Sequence, residues 1–297
     1  MVNELRTQKA TVNNPERLKM IDLKLLVKSG VHFGHQTSRW NPRMAPYIWG
    51  HKNNVHLIDV SKTVIHLEKA AKFLESVAAE GKSILWIGTK KSAQKAIDSV
   101  AKGLGCPYVT HRWIGGTITN FPQVKKSVTK LLHLEDVLAK AESFNYTKKE
   151  LNMFQKNVER LKKNIGGIVN LRLPLGAVVV VDVRKESSVI KEASVAGIPV
   201  VGLVDTNSDP SLINFVIPAN DDAPKSISVI LNYLAESTKA GQVLAKENPE
   251  VVAAMEMALL EKDESLEDEE FEDKKVAAKK APFKKPIMKK GPRTFEK

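Results

Sequence analysis

Apolar residues recur along this chain with two distinct rhythms. Five short runs are almost continuously apolar: residues 83–88 (SILWIG), 107–110 (PYVT), 177–183 (AVVVVDV), 199–205 (PVVGLVD) and 215–218 (FVIP). Runs of this length are too short for helices, and an unbroken apolar run is what a strand buried on both faces requires. Helical stretches lie before, between and after them. Val64, Ile65, Leu67, Phe73, Leu74 and Val77 make one such stretch, with Ser61 placed as its N-cap and Gly81 as its stop. Others run from about 92 to 102, through an Ala- and Val-rich segment to 195, and from about 224 to 239. This alternation predicts an α/β fold whose open parallel sheet is flanked by helices on both faces.

Residues 121–170 interrupt the alternation. Val124, Val128, Leu131, Val137 and Leu138 keep a mainly three-four spacing, and Leu151, Phe154, Val158, Leu161 and Ile165 repeat it more strictly, with SFNYT as the turn between them. Two such helices predict an inserted antiparallel coiled-coil hairpin about 30 Å long, standing out from the sheet. Residues 17–120 and 171–242 then form the α/β domain. Residues 1–16 are polar and read as a flexible N-terminus. Pro15 stands near the start of a helix carrying Leu18, Ile21, Leu25 and Leu26, which Gly30 ends.

Between that helix and the first capped one lies a segment of different character, residues 29–50 (SGVHFGHQTSRWNPRMAPYIWG). It holds two of the chain's four tryptophans, two arginines and no acidic residue. Aromatic faces beside unneutralised cations suit a polyanion, which offers phosphates and flat bases together. Its Asn41-Pro42 and Ala45-Pro46 steps force turns, and residues 47–49 and 55–58 predict a small hairpin projecting from the body. We assign Trp40 and Trp49 to packing and Arg39 and Arg43 to phosphate.

Charge sharpens this. Lys and Arg total 46 against 34 Asp and Glu, a net charge of +12. Residues 261–273 carry nine acidic residues and one lysine, and residues 274–297 carry ten Lys or Arg and one Glu. The two blocks nearly cancel, so about +11 stays on residues 1–260, which favours an acidic partner such as nucleic acid. The extension from 243 onward cannot bury enough apolar area to fold, apart from a helix reaching about residue 262, and residues 274–297 read as a disordered arm adding affinity for RNA. One cysteine, Cys106, rules out an intrachain disulfide or a cysteine-rich zinc site and fits a reducing cytosol. No apolar run approaches the roughly 18 residues that span a bilayer, and the first 19 residues do not read as a signal peptide.

Four stretches carry candidate chemistry. GTKKS (88–92) sits at a strand-to-helix handover, where α/β folds bind phosphate, but it has neither GxxxxGK[ST] nor GxGxxG. Lys90 and Lys91 are better read as contacts to an RNA backbone. In THRWIGGTITNF (110–121), Trp113 packs, Arg112 reaches outward and Gly115-Gly116 allows close approach. In the inserted hairpin Lys125, Lys126 and Lys130, and beyond them Lys156, Arg160, Lys162 and Lys163, give one sign of charge. DTNSDP (205–210) reads as an Asx-turn, although a structural zinc or magnesium site can be drawn from His32, His35, Asp182 and Asp205, or Asp209. Cys106 lacks an orienting carboxylate and an oxyanion loop, so it reads as a small buried residue.

The motifs GVHFGHQTSRWNPRMAPYIWG, VHLID, ILWIGTKKSA, HRWIGGTITNF, VVVVD, GIPVVGLVDTNSDP and FVIPANDDA, in this order over residues 20–242, resemble the bacterial ribosomal small-subunit protein two family. The resemblance implies a flavodoxin-like sheet with a coiled-coil hairpin, and a non-enzymatic, cytoplasmic constituent of the small ribosomal subunit. It implies small-subunit rRNA and neighbouring ribosomal proteins as partners, including the large mRNA-binding protein one, and neither a membrane nor a small-molecule substrate. Arg39, Arg43, Lys90, Lys91 and Arg112, then the hairpin lysines, match its basic motifs. The contrary reading is a cytosolic α/β enzyme or phosphate-ligand binder with an incidental basic surface.

Overall fold

The protein is seen here as a computed structural model that describes residues 21–140 and 146–247. The expectations for residues 1–16, Pro15 and Leu18, for most of the SFNYT turn and for the extension from 248 lie outside the described residues. The first described helix, α1 (Leu23–Lys28), is short because Asp22 caps it, its carboxylate accepting from Lys24 N at 2.9 Å. Gly30, at φ 79°, then turns the chain into a strand.

That strand, β1 (Phe33–Gln36), had no apolar run to announce it. It pairs with the expected hairpin, β2 (Ile48–Lys52) and β3 (Val55–Ile58), in an antiparallel sheet of order β1-β3-β2. This sheet does not project. Main-chain bonds from Asn41 N to Thr206 O (2.7 Å) and from Asn220 N to Val31 O (3.1 Å) clamp its segment onto the rest of the chain. Gly34 is what permits the approach: a Cβ there would lie 2.6 Å from Thr206 Cγ2 and 3.2 Å from His56 O. The cap of α2 (Val60–Ala79) is Asp59 rather than Ser61, because the carboxylate reaches Ser61 N at 3.0 Å.

The five apolar runs become β4 (Ser83–Ile87), β5 (Tyr108–Val109), β6 (Leu175–Val181), β7 (Val200–Val204) and β8 (Phe215–Pro218). They form one parallel sheet of order β5-β4-β6-β7-β8, the flavodoxin-like order, whose direction of progression reverses between β4 and β6. Alternate residues feed two cores. Ile84, Trp86, Val179 and Val201 pack under α2, α3 (Lys91–Leu104) and α7 (Pro224–Glu247). Leu85, Ile87, Val178 and Val180 pack under α6 (Ser187–Val195) and the inserted helices α4 (Phe121–Ala139) and α5 (Lys148–Ile165).

The roots of α4 and α5 are thus part of the second core through Val124, Val128, Leu131, Val158 and Ile165, rather than standing wholly clear of the sheet. Toward its end α4 meets α5 through an ion pair from Lys162 to Glu135, 3.1 Å. Thr147 and Glu150 form a reciprocal capping box that starts α5. Helix α7 runs eight residues past the expected end at 239. Within that added length Gly241 is a packing site: a Cβ there would lie 2.3 Å from Glu75 O of α2.

Candidate nucleic-acid interface and the carboxyl end of the sheet

Ligands of open α/β sheets bind beyond the carboxyl ends of the strands. Here that crevice is acidic. Asp182 follows β6, Asp205 follows β7, and Asp221 and Asp222 follow β8. Lys90, after β4, turns its ammonium inward to Asp221 Oδ1 (2.7 Å), Asp222 Oδ1 (2.5 Å) and Asp182 Oδ2 (3.7 Å). Burial alone would lower the pKa of Lys90; the hydrogen bonds to Asp221 and Asp222 outweigh it and hold the ammonium above its usual range. Burial, reinforced by the neighbouring Asp205 charge, pushes the Asp221 carboxyl up to about 7 against the pull of Lys90. Glu186 is buried beside Thr89, whose hydroxyl and N–H donate to it, and desolvation raises its pKa. A phosphate entering here would meet carboxylates.

From the antiparallel sheet, β1 brings His35 to the same end. Its main-chain N–H donates to Thr206 Oγ1 at 2.9 Å, its Nδ1 lies 3.1 Å from Asp205 Oδ1, and its Nε2 lies 3.2 Å from Asp222 Oδ2. The Asp205 carboxylate beside it raises the imidazole pKa despite partial burial. Asp205 is fully buried and accepts further from Thr206 N and Asp221 N. The structure therefore joins His35 to Asp205, and leaves the other metal candidates elsewhere. His32 lies against Phe33 with ring centroids 4.0 Å apart and planes tilted by 38°, Asp182 faces Lys90, and Asp209 caps its own turn at Ser211 while pairing with Arg43.

The basic surface divides in the same way. Arg43 is exposed, but its guanidinium is engaged by Asp209 Oδ2 (2.5 Å) and Ser211 Oγ (2.8 Å), tying the proline turn to the loop after β7. Arg39, Lys91, Arg112, Lys126 and Lys130 are exposed and form no ion pair among the described residues. Lys125 is half-buried. Trp49 is 75% exposed, so the expectation that it packs is corrected; Trp40, 39% exposed, lies with one side against the buried His56 ring at 5.2 Å, and the fully packed tryptophans are Trp86 and Trp113.

Arg112 owes its position to a residue the sequence did not single out. Glu192 of α6 accepts from Trp113 Nε1 (2.9 Å), Gly116 N (2.9 Å) and Ile118 N (3.2 Å), fastening the turn that leads from β5 into α4. Replacing Glu192 with Ala strands three donors, at a cost of about 3 kcal/mol, since charge-assisted bonds are worth roughly 1.5–3 kcal/mol each and part of the loss is recovered by water. Thermal unfolding monitored by circular dichroism should show a Tm lower by several degrees, whereas Glu192→Gln should recover about half.

Comparison with known proteins bears on what this surface serves. The family described as Ribosomal protein S2 matches residues 26–241, from α1 almost to the end of α7. The chain belongs to the ribosomal protein S2 family. Relatives named small ribosomal subunit protein uS2 include one from Cytophaga hutchinsonii, 46% identical over 219 residues, covering 73% of this chain and 86% of its own length. Another, from a Roseiflexus species, is 45% identical over 225 residues, covering 75% of this chain and 86% of its own. A third, from Amoebophilus asiaticus, is 42% identical over 225 residues, covering 76% and 72%.

In this S2-family chain the site residues missed by sequence reasoning are Asp221, Asp222, Glu186 and Glu192. For the first two a signal existed: paired aspartates directly after a buried strand fall at the carboxyl end of a parallel sheet. Glu186 and Glu192 carry none, because a glutamate on an amphipathic helix looks the same whether it is solvated or caps a distant turn.

Proposed function

We propose that this chain holds small-subunit rRNA through the exposed, unpaired cations Arg39, Lys91 and Arg112, assisted by Lys126 and Lys130 on α4, with the exposed rings of Trp40 and Trp49 as stacking faces. As a member of the S2 family the protein is a structural component of the small ribosomal subunit in the cytoplasm and not an enzyme. The observation that carries the surface assignment is the separation of charge. Lys90 and Arg43 are neutralised by internal carboxylates, while these five cations have none within ion-pair distance among the described residues. An unpaired exposed cation keeps its hydration and counterions to exchange for phosphate, which is the source of RNA-backbone affinity. Arg43 and Lys90 then act one step back, holding the loops in place. The paired helices α4 and α5 fit a coiled-coil arm whose root exposes Lys126 and Lys130, and the exposed aromatics of residues 33–49 fit a neighbouring ribosomal protein, of which the large mRNA-binding protein one is a candidate.

The acidic crevice counts against the phosphate-ligand alternative, since carboxylates surround the place where a nucleotide would sit. Sedimentation of cell extracts through a sucrose gradient distinguishes the two readings. Comigration with the small subunit, weakening as salt is raised, is the expected result. Recovery only at the top of the gradient together with saturable nucleotide binding would overturn it.

A further inference from the structure

His56, on β3, is a polar side chain that the antiparallel sheet buries without satisfying. It is 9% exposed, and both of its ring nitrogens are shielded from solvent with no hydrogen-bond partner. Among the described residues it is alone in stranding two buried polar atoms. An imidazole hidden in this way costs stability, because each nitrogen gives up water and gains no bond in return. A phenyl ring would fill the same space without that cost, so packing does not account for a histidine here.

The cover over this imidazole is light. Two rings flank it: the Trp40 indole, with centroids 5.2 Å apart and planes tilted by 41°, and His51, its exposed cross-strand partner on β2, at 6.4 Å. The indole is 39% exposed and forms no hydrogen bond among the described residues. The main chain beside it is fixed, since Asn41 N donates to Thr206 O at 2.7 Å. The ring can therefore turn between staggered rotamers while the backbone stays in place. Arg39, directly before it, is exposed and without an ion pair among the described residues. A cation, a movable flat ring and a concealed imidazole thus lie together, and a nucleotide offers a phosphate and a flat base to match them.

We propose that His56 is an RNA contact kept under Trp40: the indole turns outward to stack on an unpaired base of small-subunit rRNA, and the uncovered imidazole N–H donates to a phosphate oxygen. This rests on the reading of Arg39 and Trp40 as part of the rRNA surface. Stacking on the base replaces the contact between indole and imidazole, and the phosphate gives a buried nitrogen the charge-assisted bond that the free protein denies it. Binding so removes a cost carried by the free fold, and that difference between the two states is what favours the turned-out indole in the complex.

The test uses the full-length chain and purified small-subunit rRNA. Diethyl pyrocarbonate acylates accessible imidazole nitrogens; read by peptide mass spectrometry, it should modify His56 far more slowly than His51 in the free protein, and Trp40→Ala should bring the two rates together. His56→Phe should unfold at the wild-type temperature or slightly above it, yet bind rRNA about tenfold more weakly, the worth of one hydrogen bond to a charged group. His56→Leu repeats both measurements in case the phenyl ring is too large for the site. In a Trp49→Phe background rRNA should quench tryptophan emission, and the quench should be lost when Trp40→Phe is added. A Tm lowered by both His56 variants would show that the nitrogens serve the fold, and unchanged rRNA affinity in them beside a weakened Arg39→Ala would show that His56 stays covered in the complex; either result overturns the proposal. If Arg39→Ala also binds as tightly as the wild type, the rRNA surface itself fails, and the proposal with it.

Discussion

Replacing Arg39, Lys91 and Arg112 together with Ala should weaken binding to small-subunit rRNA about a hundredfold near 0.15 M salt, while leaving the thermal unfolding curve almost unchanged. The magnitude follows from counterion release: each phosphate neutralised contributes about 1 kcal/mol at that ionic strength, and three such contacts amount to roughly two decades in affinity. The neutrality toward stability follows from their surroundings. All three are exposed and form no ion pair among the described residues, and surface substitutions of that kind usually fall within about 0.5 kcal/mol. The contrast is with Lys90→Ala. That change removes the ammonium from between Asp221 and Asp222 and should destabilise the fold by about 3 kcal/mol, since breaking a buried pair leaves its partner uncompensated. Filter binding and circular dichroism on the same four samples, wild type, triple variant, Lys90→Ala and Lys90→Arg, separate the surface cations from the internal one. Lys90→Arg keeps the charge but not the shape, so partial recovery of stability is expected from it.

Gly34→Val should be the most damaging single change in the antiparallel sheet. Even a Cβ at this position would sit 2.6 Å from Thr206 Cγ2, 2.8 Å from Thr206 Oγ1 and 3.2 Å from the His56 carbonyl, and a branched side chain has no room at all. The strand would have to withdraw, breaking the bond from His35 N to Thr206 Oγ1 and loosening the clamp from Asn41 N to Thr206 O. Overpacking of this sort costs about 1–3 kcal/mol, and the broken bonds roughly another 1–2. Urea unfolding should show a midpoint lowered accordingly. The loop bearing Arg39 should become susceptible to limited proteolysis before the parallel sheet does, because it hangs from the same strand. A compensating Thr206→Ser, which removes the methyl that clashes first, should restore part of the midpoint.

The parallel sheet was legible in the sequence because its strands are buried on both faces, and nothing but a continuous apolar run such as 177–183 satisfies that position. The strand β1 was not, since Phe33–Gln36 is only partly covered and is held by its pairing with β3 and by the bond from His35 N to the Thr206 hydroxyl rather than by its own pattern. The expected end of α7 at about 239 fell short by eight residues, and only the structure shows that Gly241 gives the helix room to pass the carbonyl of Glu75. The basic character of the surface could be read from composition, whereas its division into paired and unpaired cations could not. Lys90 and Lys91 are neighbours in sequence and opposites in the fold, one turned into a crevice of carboxylates and the other exposed on α3. His35 and Asp205 were recognisable as metal-ligand types, but Asp221 joins them only because β7 and β8 are adjacent in the sheet.

The most direct test of the division between binding and positioning cations is the salt dependence of rRNA affinity. The logarithm of the binding constant should fall linearly with the logarithm of salt concentration. For the Arg39, Lys91 and Arg112 triple variant the slope should become shallower by about two to three, at roughly 0.7–0.9 for each phosphate no longer neutralised. Lys90→Ala, measured under conditions where it is folded, should keep the wild-type slope. An unchanged slope in the triple variant, or a shallower slope on replacing Lys90, would contradict the account.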